Sequence, residues 1–553
     1  MDSPFSHLFC TNYAASLSEA SEIHQLLAEP LEKLDHLNLE VTRLEAALST
    51  LKQERDRVEE YINAHKALLS PARRLPPDIL SEVFVRCLPE GRNATRSMTD
   101  APLLLGRICR AWREISLSTL RLWTSLHVTI PVFMQENYIT EGIQLRTKGI
   151  EAWLAKSGPT LPLSISIYAP HGSSSQSPHF SATTLIYLKT LFDCLAVHLH
   201  RWKVIELVMH PYFIKLFRGC MDLAFPGWAS GQLTNLDTFS LRALGPRNRD
   251  APLRRLLDAP NLQHISWKGD IGDLKHLRMT SSKITHLDFS FQDVLLMSDQ
   301  MLTHLSRFSA TLQFCRLRIQ FLAREEKMPK EIVHLPLLHT LDLVFSVARA
   351  TVDETDALFF RYLSTPALHT LKIIWDPFSA ESLSQVPFSS ILPLNNQIQK
   401  LDIGVKRFNL DALLRCLSLL TNLVELSVRY HTHDGHCDSL LRFLIPSPEQ
   451  PTLCPRLQNL SLLSEVEAYG RQIKVFLAVL KLVRARSHLG TSEQQLAPLK
   501  AVSLRPLVDI YYVPAELCRI EEELDVFRGE DMHIDLGYKK VEDSPFSGQQ
   551  VED

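Results

Sequence analysis

The sequence predicts an α/β protein: an N-terminal coiled-coil helix, a small all-α module, and a long repetitive solenoid with a curved parallel sheet. Three observations predict it. A heptad of apolar residues runs through residues 31–69. The stretch 75–126 holds more large apolar side chains than a module of its size can bury within itself. From residue 125 onward one short motif returns many times: an apolar residue, two variable positions, Leu, a variable position, Leu. The expected parts are a weakly ordered segment (1–30), the coiled-coil helix (31–70), the helical module (71–126), the solenoid (127–538) and a disordered tail (539–553).

The first element begins after an interruption. A short helical pattern over Leu17–Leu27 is expected to stop at Pro30. Beyond it, Leu34, Val41, Leu48, Arg55, Ile62 and Leu69 fall on heptad position a, and Leu37, Leu44, Leu51, Val58 and His65 on d. Glu40, Glu45, Lys52, Glu54 and Glu59 flank that seam, as in a coiled coil. Arg55 and His65 weaken its second half. Two arrangements fit: a homo-dimer through residues 31–69, or a helix packed on its own domain.

Ser70-Pro71 ends the heptad, and LPPDILSEVFVRCLP follows (Leu75–Pro89). Pro77 suits a helix's first turn, and Asp78 suits the positive end of its dipole. Leu80, Val83, Phe84 and Cys87 recur at helical spacing until Pro89-Glu90-Gly91 stops the helix. A polar loop, 91–100, precedes two further helical segments near 102–107 and 107–116, and a short turn reaches Leu122-Trp123. LPPDILSEVF, then a loop, then LLLGRICRAWREIS and LRLW resembles the F-box over about fifty residues. Coiled coil, F-box and a long leucine-rich region in this order are similar to F-box proteins abundant in mushroom-forming fungi. The departure is the insert of about ten residues after Pro89. The resemblance implies that Leu75, Pro76, Ile79, Leu80, Val83, Phe84, Ile108, Cys109 and Trp112 bind the Skp-type adaptor of a cullin–RING (SCF-type) ubiquitin ligase.

The third element rests on repetition. The motif appears as LDTFSL (236–241), LQHISW (262–267), ITHLDF (284–289), FCRLRI (314–319), LHTLDL (338–343), LHTLKI (368–373), IQKLDI (398–403), LVELSV (423–428), LQNLSL (457–462) and LKAVSL (499–504). A spacing mostly near 20–30 residues with this consensus looks like leucine-rich repeats. One strand plus one crossover cannot bury its own apolar side, so the units stack. Pro260, Pro336, Pro366 and Pro455 each precede a motif by two residues and end the previous crossover. Earlier strands are expected near 125–130, 161–168 and 203–209, and a last one at 532–536. Helices are expected within 141–156, 182–200 and 473–483, and a flexible loop at 172–178.

In each motif the residue between the last two apolar positions points to the other, concave face. Asp288, Arg318, Asp342, Lys372 and Asp402 are therefore the charged candidates for gripping a target protein. Their signs alternate, which suits protein recognition better than a phosphate backbone. A net charge of −3 over 553 residues also argues against a nucleic-acid binder.

Other chemistry is sparse. No nucleotide-binding or nucleophile-elbow motif is present, so neither catalysis nor a cofactor is expected. HTHDGHCD places His431, His433, His436 and Cys437 close together, but a tetrahedral metal site usually draws on two separated pairs, and a polar loop fits better. Ten scattered cysteines without a CxxC read as reduced thiols of the cytoplasm or nucleus. No apolar run is long enough for a membrane span. The function expected is a substrate receptor of an SCF-type ligase; the alternative is a non-ligase repeat scaffold that oligomerises through its coiled coil.

Overall fold

The computed structural model describes residues 3–130, 136–169, 181–224, 233–243, 254–268, 281–290, 296–321, 331–347, 359–360, 362–375, 397–404, 410–430, 436–446, 452–464, 469–487, 496–506, 515–528 and 532–535. The chain forms two compact units, Met1–Val83 and Phe84–Asp553.

The first unit is dominated by one helix, α1 (Leu17–Leu68), of 52 residues. Pro30 lies inside it, so the expected interruption there does not occur. A proline removes one amide from the helical ladder, and the long run of good helix formers on both sides outweighs that local loss. The start at Leu17 has a physical cause in Ser16-Leu-Ser-Glu19. Ser16 Oγ accepts from the Glu19 amide at 3.4 Å, and the Glu19 carboxylate accepts from the Ser16 amide at 2.8 Å. This reciprocal pair is a capping box. The hydrogen bond from the Ser16 hydroxyl holds the Glu19 carboxyl below its ordinary range. Residues 17–30 are thus helical, not weakly ordered. A 3-10 turn (Pro71–Arg74) then leads into α2 (Pro77–Arg86), which opens on Pro77 and Asp78 and continues into the second unit.

The second unit opens with two short helices, α3 (Leu105–Ile108) and α4 (Arg110–Ser118). Cys109 between them is extended, and its Sγ accepts from the Trp112 amide at 3.4 Å, which caps α4. After a 3-10 turn (Leu120–Trp123) the chain enters a large parallel sheet.

Its strands are β1 (Ser125–Thr129), β2 (Leu163–Ala169), β3 (Trp202–Met209), β4 (Thr238–Ala243), β5 (His264–Lys268), β6 (His286–Ser290), a two-residue β7 (Leu296–Met297), and β8 (Phe314–Phe321). After the short β9 (Val333–His334) come β10 (Thr340–Val347), the short β11 (Leu363–Ser364), and β12 (Thr370–Trp375). The last are β13 (Lys400–Gly404), β14 (Glu425–Tyr430), β15 (Asn459–Ser464), β16 (Ala501–Pro506) and β17 (His533–Asp535). The main strands pair in chain order from β1 to β17, with β7 against β8, while β9 and β11 form a separate pair. Crossover helices fill the intervals: α5 (Glu136–Lys156), α6 (Ala182–Ala196), α7 (Pro211–Ala224) and α8 (Ser298–Ser306). Later intervals hold α9 (Leu410–Leu419), α10 (His436–Leu444), α11 (Tyr469–Ser487) and α12 (Ala515–Asp525). Consecutive helices pack together, α5 on α6 on α7, and α10 on α11 on α12.

Register explains the motif. Leu287, Cys315, Leu341, Leu371, Leu401 and Leu426 form one buried row across neighbouring strands, and Phe289, Leu317, Leu343, Ile373, Ile403 and Val428 a second. The leading apolar residues, such as Leu338, Leu368 and Leu423, are buried as well. Each such side chain stabilises the stack by about 1.5–3 kcal/mol. One correction concerns β8. Its leading residue is Leu312 and its first inward strand residue is Cys315, so the repeat there reads LQFCRL, two positions before FCRLRI.

The insert after Pro89 has a structural role. Edge strand β1 would leave amides unpaired, yet the His127 amide donates to the Ala94 carbonyl at 2.7 Å. Asn93 Oδ1 accepts from Ser125 Oγ at 2.9 Å and from Ser164 Oγ at 2.7 Å. The insert therefore covers the start of the sheet, which would otherwise be a template for unwanted strand pairing. The expected loop at 172–178 and the tail from 539 lie outside the described residues.

Candidate functional site

Two sets of side chains are candidates. The first begins on α2, which carries two apolar stripes. Leu80 and Phe84 are buried. Leu75, just before the helix, and Ile79 and Val83 on it are 38%, 51% and 44% exposed. Pro76 is exposed too. An ordinary amphipathic helix hides its only apolar stripe; this one shows a second. In the second unit, the Phe84 and Trp112 rings lie 4.9 Å apart, and Cys109 caps the helix bearing Trp112. Leu104 and Ile108, four apart, are exposed, as is Cys109. Leu80 and Phe84 are buried; Leu75, Pro76, Ile79 and Val83 are exposed on the first unit, and Ile108 and Cys109 on the second.

The second set is a polar row along the sheet face opposite the apolar rows. Register takes it through His127, Ser166, Glu206, Ser240, Ser266 and Asp288. It continues through Arg316, Asp342, Lys372, Asp402, Ser427, Ser461, Ser503 and Asp535. Every position is polar. Asp288, Asp342, Lys372 and Asp402 stand in this row as expected. Arg318 does not; the row crosses β8 at Arg316, and Arg318 pairs with Val344 one row on. Strand alternation counted from the buried pair Cys315 and Leu317 gives Arg316. The leucine-only count missed it because a cysteine holds the inward place.

The centre of the row is an ion ladder. Arg316 Nε donates to Asp342 Oδ2 at 2.7 Å, and Arg316 Nη1 stands 3.4 Å from Asp288 Oδ2. Lys268 Nζ approaches Asp288 at 3.8 Å. Lys372 Nζ pairs with Asp402 at 2.9 Å, and Arg429 stands 3.9 Å from the same carboxylate. Burial works against the Arg316 charge, but the Asp342 hydrogen bond and both carboxylates together hold its guanidinium above its ordinary pKa. Behind the ladder, burial first and then Asp288 and Asp342 push the Cys315 thiol up. Among the described residues, Asp342 Oδ1, Asp402 Oδ1 and Arg429 Nε have no hydrogen-bond partner. These three atoms are buried, so the unmet bonds lie inside the ladder. One row towards the strand starts, His264 stacks on His286 at 4.4 Å, and His286 stacks on Phe314 at 5.8 Å.

Among the described residues no group of three or more His, Cys, Asp or Glu is placed to hold a metal ion. His431 and His433 lie outside the described residues, and of His436 and Cys437 only the backbone, which opens α10, is described. Among the described residues no helix is long and apolar enough to cross a membrane. No family model matches this chain, and no curated protein matches it.

Proposed function

We propose that the chain is an F-box substrate receptor of an SCF-type cullin–RING ubiquitin ligase, with leucine-rich repeats that hold a target protein. The observation that carries this reading is the exposed apolar stripe at α2: Ile79 and Val83 on the helix, with Leu75 just before it, stay exposed while Leu80 and Phe84 are buried. Exposed apolar side chains at helical spacing call for a partner, and the F-box resemblance of this stretch names the Skp-type adaptor. A few of them carry most of the affinity, as interface hot spots do.

The polar row is the surface proposed for the target. Its alternating charges suit a polar protein surface, which brings charges of both signs. On this reading the chain contributes proximity, not a reacting group; it raises the target's local concentration at the ligase.

The test is co-purification of the full chain with the adaptor, for the wild type and for Leu75→Ala with Pro76→Ala. Loss of the adaptor with an unchanged melting temperature supports the reading. Undiminished recovery from the double variant would falsify the assignment.

A further inference from the structure

The apolar stripe of α1 carries a second, independent inference. Leu37, Val41, Leu44, Leu48, Leu51 and Val58 are each between 51% and 63% exposed. From Leu34 to Ile62 this seam runs for ~43 Å at 1.5 Å per residue. The charges that flank it decide what covers it.

A second copy in parallel is disfavoured by like charges. Parallel pairing sets a against a and each g against the e five residues on. Arg55 would face Arg55 inside the seam, Glu40 would face Glu45, and Glu54 would face Glu59, the last two pairs occurring twice by symmetry. The alternative e and g partners, Lys33 with Asn38 and Ala47 with Lys52, offer no attraction in return.

Turning the second copy around removes every one of these clashes. With the two-fold axis between Leu48 and Leu51, Leu48 meets Leu51 of the second copy and Val41 meets Val58. Arg55 lies along Leu44 instead of a second arginine, so its stem packs and its guanidinium reaches water. Glu45 faces Lys52 on both sides of the axis, and Glu40 faces Tyr61. The surface is self-complementary, as a two-fold interface requires. We propose that the protein is a homodimer through an antiparallel coiled coil of α1, centred between Leu48 and Leu51.

The test uses the full-length chain in low salt. Sedimentation equilibrium gives a dimer for the wild type and a monomer for Leu48→Glu with Leu51→Glu, whose sheet unit melts as before. Glu45→Lys then reads the orientation. In the antiparallel dimer it sets Lys against Lys twice and weakens association about tenfold, or ~1.4 kcal/mol. Adding Lys52→Glu reverses both charges and restores the wild-type constant. In a parallel dimer Glu45→Lys relieves the clash with Glu40 and tightens association. A tighter Glu45→Lys dimer overturns the orientation, as does failure of the second charge reversal to rescue. A wild-type chain that stays monomeric, or a Leu48→Glu, Leu51→Glu chain that stays dimeric, overturns the proposal outright.

Discussion

Arg316 on β8 donates to Asp342 on β10 at 2.7 Å, and Asp342 is almost wholly buried. The cation also neutralises Asp288 on the other side. Removing it leaves the carboxylates on either side of β8 without their shared cation, and Asp342 has little access to water. Breaking a buried pair from one side costs about 3–5 kcal/mol, and the part-exposed guanidinium reduces that to roughly 2 kcal/mol here. Arg316→Met should lower unfolding free energy in urea by this amount. Adding Asp342→Leu should return part of it, because the stranded charge is gone. Equal stability of Arg316→Met and the wild type would contradict the ladder as described.

The two stripes of α2 should separate by the same kind of measurement. Leu80 is buried, and Leu80→Ala should cost about 2–4 kcal/mol. Ile79→Ala, on the exposed stripe, should cost little. Chemical denaturation of both variants distinguishes a helix with one structural face from one with two.

Arg486, at the end of α11, is buried and pairs with no described carboxylate. Its guanidinium donates to the carbonyls of Leu457 at 3.2 Å, Leu444 at 3.3 Å, Leu453 at 3.1 Å and Cys454 at 3.3 Å. Burial lowers its pKa from the ordinary value. It ties the end of α10 to the turn that precedes β15. Arg486→Leu leaves those acceptors without partners and should destabilise by about 3 kcal/mol. Calorimetric melting checks this, and an unchanged melting temperature would remove Arg486 from the account of the fold.

Stability should fall on the acid side through histidines. Burial, with Arg92 nearby, lowers the pKa of His127; burial, with Arg201 and His200, lowers that of His198; burial, with His264, lowers that of His286. For each, the unfolded chain takes up the proton first, so stability is intact above about pH 6.5 and declines below it, until the folded forms also protonate. His127 Nδ1 stands 2.8 Å from Ser166 Oγ, so His127→Gln keeps a polar partner while removing one titration. A urea series from neutral to mildly acid pH should slope less for that variant. A wild-type curve that rises towards acid pH would contradict the sign.

Much of this architecture is legible in the sequence because its signals are periodic. Ten motif copies mark strands in the structure, and alternation places Asp288, Asp342, Lys372 and Asp402 on one row. What was not legible depends on single residues that break a period. Cys315 stands where a leucine is counted, which moved the expected arginine from 316 to 318. Pro30 reads as a stop but sits inside α1. The capping box of Ser16 and Glu19 is visible in the sequence once the helix start is sought there. The role of Asn93 and Ala94 is different in kind. It arises from hydrogen bonds to β1 and β2 across more than thirty residues of chain, and no local pattern announces it.

The proposed function turns on the outward stripe of α2, and one titration tests it most directly. Purified full-length chain is titrated with purified Skp-type adaptor by calorimetry, alongside Ile79→Asp with Val83→Asp. The predicted result is saturable binding by the wild type, with a dissociation constant of about micromolar or tighter, and no binding by the variant at equal melting temperature. A wild-type chain that gives no heat, or a variant that binds as tightly as the wild type, would contradict the reading of this protein as a ligase receptor.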